Sequence, residues 1–253
     1  MKELPANGPY VVGATGGSGT RVVARLLRGG GLFLGTHLNV SEDAIDFGAY
    51  SDRWINQFIS HDPSEAAFEQ PMAEDLRQVL ARHCASEQLQ DSMPWGWKEP
   101  RSIYLLPFWA RQFHALKFLH VVRDGRDMAY SSNQNQLNKH GRALLSWRER
   151  LMSRPLRSML LWSRINLAAA DYGSLELPGR YLLIRFEDLC AHPVEETQRI
   201  FEFVGLKGEA AMIAQREVVP PSSLGRWREQ NSKTVERMQR LGEEALHRFG
   251  YAI

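Results

Sequence analysis

An apolar run, Tyr10-Val11-Val12-Gly13, passes directly into Gly13-Ala14-Thr15-Gly16-Gly17-Ser18-Gly19-Thr20. Over residues 20–28 apolar side chains then recur at helical spacing as Val22, Val23, Leu26 and Leu27, and Gly29-Gly30-Gly31 ends the helix. A strand, a glycine turn and a helix in that order is the unit from which parallel sheets are wound. The glycines allow backbone N–H groups to approach a ligand, and the helix N-terminus adds partial positive charge, so the loop suits a phosphate. A Walker loop is excluded, because no Gly-Lys-Ser/Thr stands here.

The rest of the chain repeats the alternation. Leu32-Phe33-Leu34 is a strand candidate, residues 116–122 have the continuous apolar character of a central parallel strand, and residues 181–186 form another. Helices are expected over residues 41–59 and 63–89, with a break at Asp62-Pro63, and over 127–136, much of 144–172, 193–204 and about 233–249. The expected fold is a three-layer, P-loop-like α/β domain with a central parallel sheet flanked by helices. It spans residues 1–253 as one domain, with the helical region of about 40–91 on the acceptor side. Ligands in such folds bind at the carboxyl ends of the strands, where the glycine loop lies.

Composition narrows the partners. A hydrophobic content of 43%, a charged content of 24% and a formal charge of +2 are ordinary for a folded protein and predict no nucleic acid. Charge is nevertheless uneven: residues 139–164 hold seven Lys or Arg against one acid, Glu149. That stretch reads as a solvated helix surface, or more sharply as a basic wall beside an anionic substrate. No apolar run reaches the ~20 residues that span a bilayer, and the polar start of the chain fits no signal peptide, so a cytoplasmic protein is expected. Cys84 and Cys190 make neither a disulfide framework nor a zinc spacing, and no metal-ligand cluster stands out.

The loop admits two resemblances. As GATGGSG it looks like the dinucleotide loop of atypical short-chain dehydrogenases, and as GGSGT it looks like the 5′-phosphosulfate loop of sulfotransferases. A dinucleotide fold wants an acidic residue, or a basic one for NADP, about 20 residues on. Leu32-Phe33-Leu34 is followed instead by Gly35-Thr36-His37, and no Tyr-x-x-x-Lys pair occurs. Separate segments favour the second resemblance. Residues 118–131 place Arg123 at a strand end and Ser131 eight positions later, a pairing suited to a phosphate and similar to the 3′-phosphate signature of the sulfotransferase family. Trp97-Lys98-Glu99-Pro100 resembles the Lys-Asp-Pro or Lys-Glu-Pro element of bacterial and tyrosylprotein sulfotransferases. Residues 183–189 and 201–206 resemble the family's late strand and helix, and Ser222-Ser223-Leu224-Gly225-Arg226-Trp227 its closing segment.

The resemblance implies a sulfotransferase-like fold. It implies an enzyme that moves a sulfuryl group from 3′-phosphoadenosine 5′-phosphosulfate (PAPS) to a hydroxyl acceptor, without a metal. Gly16, Gly17, Ser18, Gly19, Thr20 and Arg21 would hold the 5′ end, Arg123, Ser131, Arg226 and Trp227 the 3′-phosphate, and Phe186 the adenine. Lys98 would face the sulfate. His37, just past the second expected strand, takes the place of the proton acceptor, with Glu42, Asp43 and Asp46 as reserves. Gly17 stands where the family has a basic residue, and Pro220-Pro221 where cytosolic members have Arg-Lys-Gly; Lys98 and Arg21 are the available substitutes. Phe47, Tyr50, Trp54 and Phe58 recur at helical spacing, as a core stripe or as a platform for an acceptor ring. By analogy the acceptor is a glycan or a glycolipid. The alternatives are an NAD(P)-binding dehydrogenase-like protein and a catalytically inactive nucleotide-binding scaffold.

Overall fold

The structure, a computed structural model, describes residues 4–61, 68–90 and 92–253. Four strands, β1 (Tyr10–Ala14), β2 (Gly96–Lys98), β3 (Lys117–Val122) and β4 (Tyr181–Arg185), run parallel in the order β2-β1-β3-β4. Helices α1 (Thr20–Gly29), α2 (Ile45–Ser60), α3 (Glu69–His83), α4 (Leu106–Gln112), α5 (Gly125–Ala129) and α6 (Asn135–Leu144) precede the longest, α7 (Arg154–Glu176). After β4 come α8 (Phe186–Ala191), α9 (Pro193–Val204), α10 (Ala210–Glu217), α11 (Ser232–Leu241) and α12 (Glu243–Arg248).

Successive strand residues point to opposite faces, and both faces are covered. Val11 and Phe118 join Trp97, Trp109, Phe47 and Tyr50 on one side. Val12, Leu119 and Val121 meet Val23, Leu26 and Leu27 of α1 and Ile200 and Phe201 of α9 on the other. The parallel, doubly covered sheet is the one the strand–helix alternation predicts. Because the connection after β1 runs to β2 on one side and the connection after β3 runs to β4 on the other, a crevice opens between the carboxyl ends of β1 and β3.

Several elements differ from expectation, each for a local reason. Leu32-Phe33-Leu34 is buried but makes only an isolated bridge, Phe33 with Trp95, and the edge strand is β2, too short to show a period. Helix α2 begins at Ile45, not 41, because Asn39 Oδ1 accepts the N–H groups of Ser41 (2.7 Å) and Asp43 (3.0 Å) and Glu42 sits at φ 62°. The expected helix over 127–136 is broken in two: Ser131 Oγ accepts from Asn133 N–H at 3.2 Å and Asn133 Oδ1 from Asn135 N–H at 3.2 Å. These turns separate α5 from α6, so Ser131 lies in a bend and not on a helix. Helix α7 starts ten residues late, at Arg154 with Pro155 in its first turn. The last helix splits at Gly242, whose missing Cβ would lie 2.0 Å from Met159. The break at Asp62-Pro63 and the start of the 63–89 helix lie outside the described residues; α3 covers 69–83.

A buried histidine ties the sheet to α7. His120 in β3 is fully buried, with Nδ1 2.6 Å from the Tyr181 hydroxyl and Nε2 2.8 Å from Asn166 Oδ1. The amide oxygen only accepts, so Nε2 carries the proton and Nδ1 accepts from the phenol. Burial pulls the imidazole pKa down to about 4, against a smaller upward pull from Asn166. Between about pH 4 and the unfolded value of about 6.5 the unfolded chain binds the extra proton, so stability falls as pH falls through that window. The slope expected from this group is about 1.4 kcal/mol per pH unit. Urea titrations at pH 7 and pH 5 should show a smaller acid loss in His120→Gln than in the unmodified protein. An unchanged slope in that variant would assign the acid sensitivity to other groups.

Candidate active site

Every strand delivers a functional group at its carboxyl end. After Ala14 comes the glycine loop; β2 ends in Lys98, β3 runs into Arg123, and β4 into Phe186. They converge on a cavity of about 920 Å³ lined by Gly16, Gly17, Gly19, Thr20, Arg21, Lys98, Arg123 and Phe186.

The loop is shaped by its glycines. Gly17 and Gly19 both sit at φ 86°, a region costly for other residues. Ser18 is buried, and its Oγ donates to the Thr15 carbonyl at 2.7 Å, which closes the loop on itself and turns its hydroxyl inward. No side chain caps α1, and its first turn holds no acid, so its leading N–H groups are open to an anion. The conformation also explains why Gly17 is not basic: besides φ, a Cβ there would stand 3.2 Å from Met128 Cε and 3.5 Å from Ser131 Oγ. Ser131 thus lies directly behind the loop. Phe186 packs against Gly19, where a Cβ would come within 2.2 Å of its ring.

Arg123 is almost wholly buried, and its ring of contacts is one-sided. Nη2 donates to Ser223 O (2.6 Å), Ser223 Oγ (3.2 Å) and Asp127 Oδ2 (3.1 Å), whereas Nε is buried without a partner. Its guanidinium carbon stands 5.7 Å from the Phe186 ring centroid. Asp127 also accepts the N–H groups of Gly225 (2.8 Å) and Trp227 (3.2 Å), so one carboxylate fixes both Arg123 and the closing segment. Arg226 bonds Ser223 O and Tyr130 O, and Trp227 lies 3.9 Å from the Arg126 guanidinium. Neither Arg226 nor Trp227 lines the cavity; they brace Arg123 from behind, while Val219 and Pro221 of the preceding stretch face in.

The opposite wall carries charge pairs. Lys98 is buried, and its Nζ donates to Ser41 O at 2.6 Å and to Asp43 Oδ1. Burial lowers its pKa, and Asp43 partly offsets that. Arg101 holds Glu99 (Nε to Oε1, 2.8 Å), Asp52 and the Gly48 carbonyl (2.9 Å). Burial raises the Glu99 pKa against the pull of Arg101. Lys139 Nζ meets Asp52 at 2.6 Å. Arg21 bonds Ser41 Oγ at 3.1 Å at the cavity's edge.

His37 stands off the cavity. Its side chain is 67% exposed, bonded to Asp46 at 3.2 Å, and absent from the cavity wall; Arg82 competes for the same carboxylate from outside and draws the cluster away. Asp43, one of the reserves, does line the cavity. The aromatic stripe is core: Phe47 stacks on Trp97 at 4.0 Å, and Phe47 and Tyr50 are buried. Sequence reasoning missed Asp52, Arg101 and Asp127; Lys139, the first of the basic residues of 139–164, does line the cavity. Arg101 and Asp127 stand inside the segments already singled out, next to Lys98 and Arg123, and their charge was the available signal.

A glycine loop at a helix N-terminus, a buried lysine and a buried arginine around one crevice define an α/β protein built to hold an anion at the carboxyl edge of its sheet. A model of the Sulfotransferase family matches residues 17–210, and the chain belongs to that family; it is a sulfotransferase. Carbohydrate sulfotransferase 1 of Danio rerio is 43% identical over 37 residues, 15% of this chain and 9% of that protein. Solved structures with the same fold include the sulfotransferase domain of the Synechococcus PCC 7002 olefin synthase (16% identity, 100% of this chain and 98% of that one, TM-score 0.58). Sulfotransferase STF9 of Mycobacterium avium (11%, 99% and 79%, 0.60) and mouse sulfotransferase SULT7A1 complexed with PAP (15%, 94% and 84%, 0.54) share it too. The dinucleotide reading of the loop is thereby set aside.

The loop can be tested by two glycines of equal strain and unequal surroundings. Gly31 also has a positive φ (96°), but a Cβ there meets nothing within 4 Å. Gly31→Ala should cost about 1 kcal/mol of backbone strain. Gly19→Ala should cost roughly 1–3 kcal/mol more, because the Phe186 ring must move. Thermal melts compare them, and equal losses would mean that the ring yields freely.

Proposed function

We propose that this chain transfers the sulfuryl group of PAPS to a hydroxyl acceptor and releases adenosine 3′,5′-bisphosphate. The observation that carries this is the unpartnered, buried Nε of Arg123 in the same cavity as the uncapped N-terminus of α1. Two separate anion-seeking groups fit a nucleotide with phosphates at both ends; one with a 5′ group alone leaves Arg123 unused. When bound, the donor supplies the sulfuryl group and a phosphate leaving group. In this reading Gly16, Gly17, Gly19, Thr20 and Arg21 hold the 5′ end. Arg123 holds the 3′-phosphate, braced from behind by Arg226 and Trp227, and Phe186 faces the adenine; Ser131, behind the loop and off the cavity wall, reaches that phosphate only if it turns past Gly17.

Lys98 places a cation beside the loop that lacks one, where it offsets charge gathering on the leaving oxygen. The proton acceptor we assign to Asp43, whose carboxylate faces the cavity next to Lys98. The acceptor side of the wall is polar: Asn39, Asp52, Asn135 and Lys139 beside the small Gly48 and Ala49. That lining supports a polyhydroxylated acceptor such as a glycan or the head of a glycolipid, in keeping with the carbohydrate sulfotransferase among its relatives.

Calorimetry should show adenosine 3′,5′-bisphosphate binding far more tightly than AMP or NADP. Arg123→Gln should lower its affinity by about 10–100-fold, the worth of a charge-assisted phosphate contact. Equal affinities for the bisphosphate and AMP would remove Arg123 from the donor site. For the base, Asp43→Asn should lose about 10²–10⁴-fold in kcat with bisphosphate affinity retained, whereas His37→Ala should stay near the unmodified rate. The reverse pattern would restore His37 to the role. A folded, bisphosphate-binding protein with no turnover on any sugar or phenol acceptor would point to the scaffold.

A further inference from the structure

The excess of arginine after α6 forms a defined surface. Residues 145–153 link α6 to α7 through a single 3₁₀ turn, Glu149–Leu151. Ser146 and Glu149 cap one another, Ser146 N–H to Glu149 Oε2 at 2.8 Å and Glu149 N–H to Ser146 Oγ at 3.4 Å. Arg164 of α7 clamps Glu149 through both nitrogens (2.5 and 3.0 Å) and also takes the Leu144 carbonyl at 2.6 Å. The turn is therefore rigid, and its one acid is already neutralised. What it presents outward is Trp147, 63% exposed, and Leu151, 79% exposed. The exposed Arg142, Arg148, Arg150 and Arg154 flank them in the same stretch of chain, with the Arg148 guanidinium 5.1 Å from the Trp147 ring centroid. Among the described residues none of these four arginines has a carboxylate partner within 4.0 Å.

We propose that this turn docks the protein on an anionic lipid bilayer. Trp147 and Leu151 enter the headgroup boundary, and the four arginines meet the lipid phosphates and carboxylates. A lone exposed apolar side chain needs no explanation, but two on one braced turn, flanked by unpaired cations, match an interfacial anchor on both counts. Tryptophan sits at headgroup depth because its ring is apolar and its N–H is wet. A soluble acidic partner would satisfy the arginines and leave Leu151 without a role. Position adds sense to it: Asn135 and Lys139 on α6 face the cavity, and the turn follows at the far end of that ten-residue helix, roughly 15 Å away. Docking there holds the acceptor wall close to the membrane plane.

Sedimentation with extruded vesicles tests it. The protein should pellet with phosphatidylcholine vesicles containing phosphatidylserine and pellet at least tenfold less with phosphatidylcholine alone. Each arginine near an anionic surface is worth about fivefold in partitioning, so Arg148→Glu/Arg150→Glu should lower binding by well over tenfold. Raising NaCl from 0.1 to 0.5 M should lower it as well, through shorter-range screening. Trp147→Ala/Leu151→Ala should also lose about tenfold or more, with melting temperature and bisphosphate affinity unchanged. Failure of the unmodified protein to pellet with the anionic vesicles overturns the proposal. So does equal pelleting by both double variants. Retention on heparin without vesicle binding also overturns it, by giving the surface a soluble polyanion instead.

Discussion

Asp127 is a carboxylate at 1% exposure, and a charge so buried must be surrounded by donors or the fold loses roughly 3–5 kcal/mol. It collects three: the Arg123 guanidinium and the N–H groups of Gly225 and Trp227. From that single requirement much of the site follows. Arg123 cannot swing into solvent, because Asp127 and Ser223 hold one of its nitrogens and Trp162 holds its carbonyl at 2.9 Å. The closing segment cannot lift without stranding the carboxylate. Trp227, fixed through its backbone, in turn covers Arg126, which is itself locked to Asp124. An arginine anchored through one nitrogen, with its buried Nε–H unmet, is prepared for a ligand before any ligand arrives, so little ordering entropy remains to oppose binding.

The rest of the cavity uses charge differently. Lys98, Arg101 and Lys139 are each tied to carboxylates (Asp43, Glu99 and Asp52), so the acceptor side is a lattice of ion pairs near balance. The loop side has an excess of positive groups and open N–H donors. Repulsion between the wall's carboxylates and an anion held at the loop is blunted by those pairs. A buried pair is weak evidence for stability, since desolvation offsets much of its attraction. Here its use is positional: it holds Asp43 and Lys98 within reach of the loop.

Much of this was legible in the sequence. The glycine loop, the strand ending at Arg123, the lysine before Glu99-Pro100 and the aromatic after β4 each carry a local pattern, and each stands on the cavity. The fold class follows from the same alternation. What could not be read depended on contacts between distant segments. β2 has three residues, too few for a period, and is a strand only because β1 pairs with it. The start of α2 was displaced by an asparagine side chain competing for backbone N–H groups, an outcome that propensity alone does not reveal. His37 was reasoned from its distance along the chain after a strand that did not form, and its side chain stands off the cavity wall.

The parallel arrangement has a kinetic consequence. The segments that meet above the sheet are joined across long separations: β1 pairs with β2 across 86 residues, Arg123 meets Ser223 across 100, and Thr15 meets Asn166 across 151. Each closure must bring its ends together before any contact rewards it, and chains dominated by such pairings fold slowly. A partly folded chain, with the glycine loop formed but β4 undocked, has both Gly19 and the Arg123 guanidinium without the Phe186 ring. The cavity therefore arises late and all at once, and its appearance marks completion of the whole sheet.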